Sequence, residues 1–182
     1  MFIGYKCFNK GLINRYGTKF RIEKTYHCDK QIKFGNNGHG FHVCKRLEDT
    51  LRYFDAMNEE VDICLVECYG KYDEQEDDYY DYYDMFAFEY MVIKKLLTRE
   101  EITAYGLNLF GCQLERFISS FKLTKEEIDI FKFKFQKESR ILKFIAYYQE
   151  GDKDAFNADI EYTKKRKIWY NYLGGKNERI NY

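Results

Sequence analysis

The sequence contains no proline and a single tryptophan, and no stretch of it approaches the roughly 20 apolar residues that a membrane span requires. It carries no net charge, with 30 Lys and Arg against 30 Asp and Glu. No global field therefore draws it to nucleic acid or to a membrane surface. The opening MFIGYKCFNK is too short and polar for a signal peptide, so the expected location is cytoplasmic. Six cysteines without an export signal read as free thiols in a reducing compartment, where a buried cysteine acts as a small hydrophobe. The missing proline accompanies abundant Lys, Ile, Tyr and Phe, the bias of an AT-rich coding sequence. No internal repeat is found.

What remains is a chain of 182 residues, rich in aromatics with 18 Tyr and 16 Phe. That is enough for one domain with a buried core and a small annex. The pattern changes near residue 106. Before it, short runs rich in aromatic and β-branched residues lie between Gly and Asn, predicting strands at 2–8, 18–23, 31–34, 41–44, 61–72 and 85–97. One helix interrupts them at about 46–57, with Leu47, Leu51 and Phe54 on one face. TREE at 98–101 and TKEE at 124–127 are capping boxes, in which threonine accepts an orphan amide and glutamate reaches back. Helices are predicted at 109–121, at 124–150 with an apolar stripe of Ile128, Phe131, Phe135, Leu142 and Ile145, and at 153–173, ending at Gly174 and Gly175. The expected fold is α+β: a twisted, mostly antiparallel sheet with one crossing helix over residues 1–106, and a three-helix annex over 107–182.

Charge divides along the same line. Residues 1–108 hold 15 Lys and Arg against 19 Asp and Glu, and residues 109–182 hold 15 against 11. DEQEDDYYDYYD, residues 73–84, supplies seven of the acids. It reads as a solvated loop between two strands, with a docking tract for a basic partner or a DNA-like surface as the functional alternative. The ligand order and central glycine of a calcium-binding EF-hand loop are absent from it. TKKRK at 163–167 places cations on every side of a helix. It reads as a solvated face, with a phosphate-contacting patch as the alternative. The two tracts could also pair with one another.

The reactive side chains cluster early: His27, Cys28, His39, His42 and Cys44. Zinc takes four N or S ligands, commonly as two closely spaced pairs. His27 and Cys28 are adjacent and diverge on a strand, and neither pair has knuckle spacing, so no metal site is expected. His42 and Cys44 share a strand face, but side chains at i and i+2 rarely form a nucleophile and base. Cys64 and Cys68 read as core. GNNGHG at 35–40 lacks the Gly-Lys-Ser/Thr ending of a phosphate-binding loop and precedes a strand, so it reads as a turn.

Four segments carry a resemblance: GYKCFNKGL (4–12), FRIEKTY (20–26), GFHVCKRLEDTLRYF (40–54) and MVIKKLLTREEI (91–102). On these, residues 4–105 resemble a family of small uncharacterised bacterial and phage proteins. That resemblance implies no activity. A second resemblance, in the order of elements, is to the ADP-ribosyltransferase fold. GHGFHVCKRLEDTLRY is similar to the Gly-x-Gly-aromatic strand that runs into a helix along one wall of the NAD cleft in the poly(ADP-ribose) polymerase branch, and FEYMVI (88–93) is similar to its catalytic strand. This resemblance implies Glu89 as catalytic glutamate, His42 in the place of the ring that stacks on nicotinamide, and Gly40 as the point where backbone approaches the ligand. The first strand should offer His or Arg to the ribose; GYKCF offers Tyr5 or Lys6 instead.

Three functions follow as expectations. The first is a non-catalytic protein-interaction module, phage-derived on the resemblance, that binds a host or partner protein and needs no cofactor. The second is an NAD-dependent ADP-ribosyltransferase using Glu89, His42 and Lys6. The third is a nucleic-acid binder acting through the basic C-terminal helix.

Overall fold

A computed structural model describes residues 1–35, 38–74 and 85–156. Five strands form one antiparallel sheet: β1 (Phe2–Asn9), β2 (Thr25–His27), β3 (Phe41–Cys44), β4 (Val61–Glu74) and β5 (Met85–Leu96). Five helices accompany them: α1 (Leu47–Thr50, continued by a 3-10 turn at Leu51–Tyr53), α2 (Arg99–Leu107), α3 (Gly111–Ser120), α4 (Lys125–Lys134) and α5 (Ser139–Phe144, continued by a π turn at Ile145–Gln149). Among the described residues, no helix is long and apolar enough to cross a membrane.

The mixed α+β class is as expected, but the sheet is not an open twisted one. Its order is β2-β5-β3-β1-β4, and β4 also pairs with β5, which closes a small barrel. Closure depends on β4 and β5, which are long enough to bend. Their ladder shifts register between Leu65 and Val66 and again between Tyr69 and Tyr72. An extra residue in one strand of a pair kinks it and raises its twist, which brings distant edges together. The other edge of β5 is divided between β3, at Met85 to Phe88, and β2, at Tyr90 to Val92.

The sequence alternation along β1 sorts its side chains between two cores. Phe8 points into the barrel, with Val43, Cys64, Val66, Cys68, Phe88, Met91 and Ile93. Cys7 points outward into a second cluster, shared with Leu47, Ile63, Leu114, Phe117, Phe131 and Ile145, where the helices pack on the barrel. Cys64 and Cys68 are core residues, and all six cysteines are free thiols.

Several elements differ from the sequence prediction. Residues 18–23 form only isolated bridges, Ile13 to Lys19 and Ile22 to Ile93, and 31–34 form no strand. Tyr26 buries its ring against Phe20 and Phe41 instead, which draws 25–27 into the sheet. The predicted helix at 46–57 shortens to one α turn and a 3-10 turn. Its acids do not face water: Glu48 accepts a hydrogen bond from the Tyr105 hydroxyl at 2.8 Å, and Asp49 accepts one from Arg116 at 2.6 Å, both fully buried. Burial raises the Asp49 pKa despite the opposing Arg116 bond.

The predicted helix at 124–150 breaks in two. Its two apolar halves, Ile128/Phe131/Phe135 and Ile141/Ile145, lie in the same cluster. A straight helix would carry the second half about 1.5 Å further away with each residue. Phe135, at φ −101° and ψ 23°, ends the first half and the chain turns back. Both capping boxes form as predicted, at Thr98 with Glu101 and at Thr124 with Glu127. Residues 153–156, the start of the predicted helix at 153–173, form turns; the rest of that helix, TKKRK and most of the acidic tract lie outside the described residues.

Candidate functional site

The bulge that closes β4 on β5 sets a carboxylate, Glu89, among backbone amides and rings. Tyr69 pairs with Tyr90 and Tyr72 with Phe88, so Gly70 and Lys71 together stand against Glu89. Gly70 has φ +83°, and a Cβ there would lie 2.7 Å from the Glu89 carboxylate. The left-handed backbone and the close approach both require glycine. In this geometry the Lys71 amide turns toward Glu89 and donates to Oε2 at 2.9 Å.

His27 approaches Glu89 Oε1 to 3.6 Å through Nε2. The Lys71 amide, and with it His27, holds the Glu89 carboxyl below its ordinary pKa, against a smaller opposing effect of burial. Glu89 is therefore an anion at neutral pH. Beside it run three stacked rings, one from each of β2, β5 and β4. His27 lies 4.6 Å from Tyr90 at 21°, and Tyr90 lies 5.0 Å from Tyr69 at 6°. Tyr90 is the middle ring of this stack, and His27 and Tyr69 are its two ends.

The other residues singled out in the sequence lie elsewhere. Lys6 pairs with Cys64 on the inner face of β1, and its Nζ donates to the His42 carbonyl at 2.5 Å. That bond bridges the seam where the β1–β3 ladder has a single register pair, Tyr5 with Cys44. Burial pushes the Lys6 ammonium below its ordinary pKa. His42 sits with its ring edge-on to Phe34 at 5.0 Å and donates to the Lys33 carbonyl. Its Nε2 is buried without a partner, so Nδ1 is the donor. Burial, and then the Lys6 charge, lowers the His42 pKa and keeps the ring neutral.

Gly40 has φ +116° and passes 3.0 Å (as an added Cβ would measure it) from the Phe88 carbonyl, one residue before Glu89. Tyr5 faces away from Lys6, edge-on to Tyr105 of α2 at 5.6 Å, and burial raises its pKa. The fold thus joins Lys6 to His42 and sets Gly40 beside β5. The Glu89 carboxylate, by contrast, meets Lys71 and His27, and Tyr5 meets the helices.

A cleft of about 480 Å³ opens between β4, the end of β5 and the helices; Lys10, Val61, Leu97, Arg99 and Phe121 are among its walls, and none of these candidates lines it. Among the described residues, no group of three or more His, Cys, Asp or Glu is placed to hold a metal ion. Sequence reasoning weighed His27 only as a metal ligand and missed Tyr69 and Tyr90. Their partnership depends on cross-strand register, and the one local signal was Tyr69-Gly70, a glycine inside an aromatic strand.

No curated protein and no solved structure matches the chain. The family described as a domain of unknown function, DUF7666, matches residues 2–103. The match takes in all five strands, α1 and the first half of α2, and leaves α3 to α5 outside it. Over its barrel, the chain is a member of the DUF7666 family.

Proposed function

We propose that this protein is a non-catalytic interaction module that receives a basic, arginine-bearing segment of a partner protein on the open face of β2, β5 and β4. The observation that supports this reading most directly is the Glu89 carboxylate beside a stack of three rings. A guanidinium is planar: it stacks on an aromatic face and pairs with a carboxylate in one pose, which an ammonium does not do. Glu67, two residues before Tyr69 on the same strand face, supplies a second carboxylate.

The test is titration of a fluorescent arginine-rich peptide and its lysine counterpart. Saturable binding is expected, weakened by salt and weaker for lysine. Glu89→Gln and Tyr69→Ser should each reduce affinity by about threefold or more, the scale of one exposed cation–π contact or surface ion pair. Equal binding by both variants, or none by the wild type, would overturn the reading.

A second reading, NAD-dependent ADP-ribosyl transfer in a fold related to the ADP-ribosyltransferases, has the Lys6–His42 bond in its favour. Tyr5 packs edge-on to Tyr105, and Glu89 meets the Lys71 amide and His27 rather than that bond. Calorimetric titration decides it. Heat of NAD binding that His42→Ala abolishes would sustain this reading, and its absence at millimolar NAD would remove it.

A further inference from the structure

The loop that leaves β1 carries cations with no anion to meet. Residues 15–24 hold Arg15, Lys19, Arg21 and Lys24 against one acid, Glu23, which Lys94 engages at 3.1 Å. All four cations are exposed. Among the described residues, none of them has a carboxylate within ion-pair distance, whereas Lys95, Arg99, Arg116, Lys132 and Arg140 each meet one. Net charge hides this strip, because Glu48, Asp49 and Asp62 of the same half are buried and face no solvent.

The fold gathers the four at one corner of the barrel. Backbone bonds from Asn14 to Thr18 and from Phe20 to Leu12 fold the loop back on itself. Phe20 turns inward, its ring 5.2 Å from Phe8 and 4.6 Å from Tyr26. Its neighbours Lys19 and Arg21 therefore turn outward together. The Arg21 amide donates to the Tyr26 hydroxyl at 2.7 Å, and the Lys24 ammonium lies 5.3 Å from the centre of the same ring. At the tip, the Asn14 side chain accepts from the Tyr16 and Thr18 amides, which fixes a turn that leaves Tyr16 90% exposed. Arg15 lies over the Tyr53 and Phe54 rings at 5.5 and 5.2 Å. A guanidinium stacked in this way keeps its edge donors for an oxyanion.

We propose that this strip binds single-stranded nucleic acid, with Arg15, Lys19, Arg21 and Lys24 on successive phosphates and Tyr16 stacked on a base. Unpaired cations give a polyanion its affinity by releasing its counterions. The exposed ring selects among polyanions: a single strand offers base faces to stack on, and a duplex keeps them inside its own stack. An anionic membrane fits less well, because residues 15–24 form no helix that could lay an apolar face into the lipid interface. The partner is opposite in charge to the peptide proposed above, so the two readings stand or fall separately.

Fluorescence anisotropy with a labelled oligothymidine of 20 nucleotides tests this, with circular dichroism to verify that each variant is folded. Binding is expected at low salt, with a log–log salt slope of about −3 for four phosphate contacts on a single strand. Lys19→Glu combined with Arg21→Glu should lower affinity at least tenfold and flatten the slope by about 1.4. Tyr16→Ala should lower affinity about fivefold or more and leave the slope unchanged. The matching duplex should bind more weakly and ignore Tyr16→Ala. No binding to the oligonucleotide at low salt would overturn the proposal, as would full affinity in the doubly reversed variant. Capture by phosphatidylserine vesicles without binding to the oligonucleotide would assign the strip to a membrane instead. Binding that is lost when Lys164, Lys165, Arg166 and Lys167 are replaced by Gln, but kept when Lys19 and Arg21 are reversed, would move the site away from this loop and overturn it too.

Discussion

Replacing Phe117 by alanine is expected to cost about 3–5 kcal/mol, the range for removing a fully buried aromatic ring that its surroundings fail to refill. Phe117 on α3 is fully buried. Its ring lies parallel to Phe131 of α4 at 6.1 Å and 9°, and 5.4 Å from Phe121. Helix α2 crosses it at Gly106, where an added Cβ would fall 2.4 Å from the ring. Three helices therefore close on one side chain, and none can move in without losing its other contacts. Against a total stability of roughly 5–15 kcal/mol, the loss is a large fraction. Urea unfolding with unchanged slope should show it as a lower midpoint. A loss under about 1 kcal/mol would mean that the helices repack around the gap, contrary to the interior density on which the expectation rests.

The second large effect is a pH dependence centred on Glu127. Its carboxylate accepts from the Thr103 hydroxyl at 2.6 Å, from Arg99 at 2.8 and 2.6 Å, and from the Thr124 amide at 2.7 Å. Burial alone would raise its pKa, but the Arg99, Thr103 and Thr124 bonds outweigh that and bring it down to about 2. The unfolded chain takes up this proton near pH 4.3, before the folded one does. The stabilisation is thus fully present above that pH and is lost as pH falls toward about 2. Its upper size is about 3 kcal/mol. Glu127→Gln should lose much of this at pH 7, and its stability should fall less steeply than the wild type's between pH 4.5 and 2. Parallel stability curves for the two proteins over that window would show that the network contributes no such linkage.

Local chemistry was legible where a few adjacent residues decide the outcome. TREE and TKEE start helices because each box satisfies its own end amides. Residues 41–44 form a strand between a glycine turn and a charged corner as the pattern predicts. The break at Phe135 was not legible, because the apolar stripe runs through it without interruption and only the shared core forces the turn. Residues 25–27 were missed because a three-residue strand has no pattern of its own and is held by the burial of Tyr26.

The candidate site divides in the same way. Glu89 and His42 were recognisable as residues, but their neighbours were not, because a sheet brings side chains together by register and a shift of one position exchanges the faces. The bulge at Gly70 gives Glu89 an amide from Lys71, and β2 gives it His27. So the sequence by itself determined the class of the fold, most of its strands, the capped starts of α2 and α4 and its free thiols, all of which follow from periodicity, composition and short-range bonding. Only the tertiary structure decided that the sheet closes into a barrel, that Lys6 faces inward while Tyr5 faces the helices, and which partners Glu89 meets, because each of these depends on contacts between segments tens of residues apart in the chain.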